Sequence, residues 1–106
     1  MLLHIVLFRP KPGISEGDRA AMFAALETAA RDIPSVRRFQ VGARMTHGAR
    51  YEQLMEQDFP LVAIVEFDDL EGLQAYLRHP AHDRLAQLFY SLQEMALAYD
   101  YDVGQV

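Results

Sequence analysis

Two segments of this chain are apolar on both faces when read as strands, and no other feature constrains the fold as much. The first is Leu2-Leu3-His4-Ile5-Val6-Leu7-Phe8-Arg9, rich in β-branched and large apolar residues. Successive side chains of a strand point to opposite faces. Leu2, Val6 and Phe8 therefore share one face with His4, and Leu3, Ile5 and Leu7 share the other. The second is Leu61-Val62-Ala63-Ile64-Val65-Glu66-Phe67, a continuous apolar run. Strands of this kind call for cover on both sides.

The rest of the chain divides around them. Pro10, Pro12 and Gly13 end the first strand in a loop. Ser15 followed by Asp18 resembles a capping box and predicts a helix from about Glu16 to Asp32, stopped by Pro34. Met22, Leu26, Ala29 and Ile33 form its apolar stripe, with Phe23 and Ala30 beside it. Val36 to Thr46 reads as a second strand, with Phe39, Val41, Ala43 and Met45 on the buried face. His47 to Asp58 is polar and reads as a loop. After the apolar run, Asp68 or Asp69 caps a helix whose core stripe is Leu70, Leu73 and Leu77. Pro80 breaks that helix and opens a third, with Leu85, Leu88, Phe89, Leu92 and Ala96 as its stripe. Leu97 to Val103 is expected as the last strand.

The order β-α-β-β-α(α)-β is that of a single α+β domain over residues 1–106, a ferredoxin-like βαββαβ fold with a four-stranded antiparallel sheet. Helices cover only one face of such a sheet, and the chain has no spare element for the other. A second copy of the same sheet, related by a two-fold axis, is the simplest cover, so a homodimer is expected. A large apolar pocket in a monomer is the alternative. Charge narrows the possible partners: 10 basic against 15 acidic side chains give a net −5, which argues against nucleic acid and against anionic membranes. No run approaches the ~18 apolar residues of a membrane helix, and the short apolar N-terminus lacks the flanks of a signal peptide. The absence of cysteine excludes disulfides and thiolate chemistry and fits a cytoplasmic protein.

The opening His4-Ile5-Val6-Leu7-Phe8-Arg9, the block Phe67 to His82 with its Tyr-x-x-His-Pro-x-His core, and Tyr99-Asp100-Tyr101 near the end together resemble the stress-responsive dimeric α/β-barrel (Dabb) domains. The resemblance spans nearly the whole chain and is weakest over His47–Asp58. It implies a homodimeric α/β barrel with a cavity in each subunit. Most members of that family have no assigned reaction. One plant branch cyclises polyketides by aldol chemistry, and related branches are monooxygenases, some of them haem-degrading. In the cyclising branch the positions matching Tyr76, His82 and Asp100 carry the chemistry. A further histidine expected there near the start of the third strand is Leu61 here, which makes the interior of this chain more apolar.

The chemistry suits these side chains. A neutral imidazole accepts a proton near pH 7, and a phenol donates a hydrogen bond to a carbonyl or developing enolate. In one straight helix Tyr76 and His82 would lie about 600° and about 9 Å apart; the break at Pro80 allows His82 to turn back towards Tyr76. Asp100 is expected to accept the second ring proton of His82 and fix its tautomer. The structural reading stands beside this one: Tyr76 as a helix residue, with His82 and Asp100 as a satisfied pair tying helix to strand. A small apolar molecule is expected in a cavity lined by His4, Val6, Phe23, Leu26, Leu61 and His79. His4 reads equally as a satisfied core histidine, and His79 as a helix-boundary residue. No metal or cofactor is expected. His79 and His82, spaced i, i+3, lack a third ligand nearby, and haem would have only His4 or His82 as axial candidates. Three functions follow in order: a small-molecule binding domain that carries out proton abstraction or cyclisation, a stress-protective dimer without a ligand, and a cofactor-using monooxygenase.

Overall fold

Strand β1 (Leu2–Pro10) lies in the interior of the sheet, paired along both edges. In the computed structural model, which describes all residues 1–106, β1 pairs antiparallel with β3 (Leu61–Phe67) on one side and with β4 (Gln93–Asp102) on the other. Strand β2 (Arg38–Ala43) adds to the far side of β3, giving the order β2-β3-β1-β4. The helices α1 (Glu16–Asp32), α2 (Leu70–Arg78) and α3 (Pro80–Leu92) complete a ferredoxin-like α+β fold.

The faces divide as the alternation requires. Phe8, Ala63, Val65 and Phe67 point to the helices and are buried, joined by Met22, Leu26 and Ala29 of α1, Ile33 just after it, Leu73 and Tyr76 of α2 and Leu85 of α3. Ser15 caps α1 by accepting from the Asp18 amide at 3.0 Å. Phe67 is completely enclosed. A Phe67→Ala variant should lose about 3–5 kcal/mol through lost burial and the cavity it leaves. Urea unfolding should record this as a lower midpoint at unchanged slope.

The opposite face has no cover. The chain spans 42 × 38 × 16 Å, a slab two layers thick. Across the bare side run Ile64, Ile5 and Tyr99 in register, flanked by the rows Val62–Leu7–Leu97 and Glu66–Leu3–Tyr101. Arg38 and Glu66 pair at 3.7 Å on the margin of this surface. Side chains of this kind, in one broad layer, are the uncovered half of a core.

Four expectations need correction. Strand β2 is shorter than Val36–Thr46, because its partner β3 is preceded by Pro60, which has no amide to extend the ladder; a single bond from Arg44 N to the Pro60 carbonyl closes that end. Of the alternating residues of β2, only Phe39 packs on the core; Val41, Ala43 and Met45 are exposed at the sheet edge, beyond the helices. In α2 the inner residues are Leu73 and Tyr76. Leu70 sits in the first turn and is exposed, and Leu77 lies at the margin. Finally, α3 ends at Leu92 and Ala96 belongs to β4, opposite Phe8. The segment Glu94–Ala98 has good helix formers, but the ladder with β1 overrides that local preference.

Candidate active site

The cavity lies between the sheet and the helices. Its size is set by small residues, Ala63 on β3, Ala86 on α3, and Ala96 and Ala98 on β4, which leave about 450 Å³ unfilled. Phe39, Phe89, Leu26 and Leu85 make most of its wall apolar. Five side chains with polar groups break that surface: His4, Tyr76, His82, Tyr90 and Asp100.

Tyr76 reaches the cavity from α2, which Asp69 caps by accepting from the Gly72 amide at 3.0 Å. Its ring stands among the rings of Phe67 at 5.2 Å, Phe39 at 6.5 Å and His4 at 5.9 Å between centroids. The residue is 2% exposed. Burial raises the phenol pKa well above its ordinary value of 10.0, so the hydroxyl keeps its proton and acts as a donor. His82 is the third residue of α3 and meets Tyr76 edge-on, the two ring centroids 4.7 Å apart. Its pKa is lowered from 6.5, first by burial and then by the neighbouring His4 ring; Asp83 and the Leu77 backbone pull the other way. His82 is therefore a neutral base at pH 7, in the first turn of a helix whose positive end also disfavours imidazolium.

Asp100 does not hold His82. It is the cross-strand partner of His4 and lies 2.6 Å from His4 Nδ1. An ionised carboxylate only accepts, so Nδ1 carries the proton. Non-adjacent strands of the chain, β1 and β4, are neighbours in the sheet, and that places the two side chains opposite each other.

Of the residues expected at the cavity, His4, Val6, Leu26, Tyr76, His82 and Asp100 line it. Phe23, Leu61 and His79 do not. Phe23 lies under the Arg19 guanidinium, 5.6 Å from its ring, and packs against the core. Leu61, at the end of β3, borders a separate polar groove with Arg19, Arg44 and Asp58. His79 turns its ring back to α3, where Nδ1 accepts from the Ala81 amide at 3.0 Å. No three His, Asp or Glu side chains are placed together so as to hold a metal ion. The wall also includes Ala63, Val65, Ala96 and Ala98, which the sheet register sets on the same face as His4 and Val6.

No helix is long and apolar enough to cross a membrane. Residues 2–103 match the family described as the stress responsive A/B barrel domain, Dabb. Olivetolic acid cyclase of Cannabis sativa is 24% identical over 98 residues, 92% of each chain. The hydroxynitrile lyase of Passiflora edulis superposes with a TM-score of 0.83 at 15% identity, over 99% of this chain and 94% of that one. A dimeric ferredoxin-like protein of unknown function from Thermobifida fusca gives 0.75 at 20% identity, over 96% and 90%. The last two likenesses speak for the fold.

Proposed function

Because the chain belongs to the stress responsive A/B barrel domain (Dabb) family, we propose that it works as a homodimer, each subunit binding a small apolar carbonyl compound and moving a proton on it. The observation that carries this reading is the placement of the His82 imidazole with its ring centroid 4.7 Å from that of the Tyr76 phenol, on the wall of a mostly apolar cavity. His82 removes a proton from the carbon next to the carbonyl. The electron pair moves to the carbonyl oxygen, which accepts a hydrogen bond from the Tyr76 hydroxyl. The resulting enolate carbon attacks a second carbonyl of the same molecule, forming the ring bond, and His82 returns its proton to the new alkoxide. The His4–Asp100 pair orients the wall beside Tyr76. A relative that is a cyclase is in keeping with this chemistry.

The homodimer rests on the bare apolar face of the sheet and on the dimeric state of a protein that shares the fold. A cytoplasmic setting agrees with a chain that has no cysteine. The test is incorporation of solvent deuterium next to the carbonyl of a panel of apolar β-diketones, followed by NMR. The parent protein should catalyse exchange, and Tyr76→Phe and His82→Ala should lose it while keeping their melting temperature. Equal exchange by the parent and both variants removes the acid–base assignment.

A further inference from the structure

The two rings of the proposed acid–base pair belong to different helices, and the joint between the helices is a single residue, His79. Its backbone is extended, with φ −72° and ψ 140°. Four hydrogen bonds meet on it. Its own amide donates to the carbonyl of Tyr76 at 3.1 Å. Its carbonyl accepts from the amide of His82 at 2.9 Å and from that of Asp83 at 3.1 Å. Its side-chain Nδ1 accepts from the amide of Ala81 at 3.0 Å, in a partly buried setting.

These bonds answer the needs of a helix start. The first amides of a helix have no partner within it. Pro80, at the first position, has no amide to satisfy. Ala81, His82 and Asp83 follow, and all three donate to His79. Ser, Thr, Asp and Asn are the usual capping residues; here an imidazole does the same work, which requires Nδ1 to be bare and the ring proton to sit on Nε2. The residue thus bonds Tyr76 on one side and the turn carrying His82 on the other.

We propose that His79 is the positioning residue of this site: its side-chain cap and backbone bonds hold the corner that sets the His82 ring against Tyr76. The proposal rests on the acid–base reading for its functional meaning, but its geometry is tested without substrate. His79 touches no part of the cavity and acts only through His82.

Two NMR measurements on the unliganded protein decide it. Long-range ¹⁵N–¹H correlation of the imidazoles should find His79 of the parent protein in the Nε2–H form; an Nδ1–H form overturns the proposal. The edge-on Tyr76 ring displaces the ring-proton shifts of His82. His79→Ala should lose that displacement, and His79→Asn, whose amide oxygen can cap the same turn, should restore it. A merely structural role would lower the melting temperature of His79→Ala and leave the His82 displacement unchanged, and that result also overturns the proposal. If His79→Ala does not fold, the tautomer and His79→Asn still decide: a folded Asn variant with His82 no longer displaced refutes it. Because neither measurement involves turnover, failure of the exchange assay and failure of this geometry are separate results.

Discussion

A His82→Ala variant should turn over a cyclisable carbonyl substrate about 10²- to 10⁴-fold more slowly than the parent, the range a positioned general base contributes. The loss belongs in kcat, because the imidazole is a small part of a mostly apolar wall and contributes little to ground-state binding. Tyr76→Phe should cost about 10²- to 10³-fold, since it removes one donor to the developing oxyanion and leaves the ring packing intact. The pH profile gives a second, independent check. Burial and the His4 ring lower the pKa of His82 from 6.5, so the base stays unprotonated further into acid than a free histidine. The acid limb of the rate profile should therefore lie below 6.5. Steady-state kinetics across this range would contradict the assignment if the acid limb lay at or above 6.5, or if it persisted unchanged in His82→Ala.

Ile5→Lys should turn the proposed homodimer into a monomer. Ile5 sits midway across the bare face, between Ile64 and Tyr99 in register, with both β1 neighbours on that face, Leu3 and Leu7, also apolar. A lysine there places an unpaired charge at the centre of the contact, and a two-fold axis repeats it in the partner. An uncompensated buried charge costs about 3–5 kcal/mol, which weakens association on the order of 10²- to 10⁴-fold. Light scattering should show the mass fall by half, while the helix-face core, in which Ile5 has no part, keeps its helical circular dichroism. A variant that stays dimeric would mean that another surface joins the subunits. Substitution at Arg38, on the margin, should matter far less, as rim charges do.

Much of this protein was legible in its sequence because the deciding signals are local. Ser15, the pair Asp68-Asp69 and Pro80 mark where three helices begin, since a cap or a proline acts within one turn; the structure picks Asp69 of the pair. The doubly apolar β1 and β3 announced a sheet face that the helices leave uncovered, because side-chain alternation follows from backbone geometry alone. The Tyr76–His82 encounter was also legible, as a consequence of the break at Pro80.

What the sequence could not decide depends on which strands become neighbours. Asp100 was assigned to His82 and belongs to His4, because only the β1–β4 ladder sets residues 4 and 100 side by side. The same ladder drew Ala96 out of the helix its composition favours and made it a cavity wall. Phe23, Leu61 and His79 had suitable chemistry for the cavity, but tertiary packing placed them elsewhere. Helix starts, the doubly apolar character of β1 and β3 and the need for a cover were therefore determined by the sequence alone, through interactions a few residues apart; the end of α3 and the exposure of β2 were not. The partners of each polar group and the lining of the cavity were decided by the tertiary structure, where side chains up to 96 positions apart come within hydrogen-bonding distance.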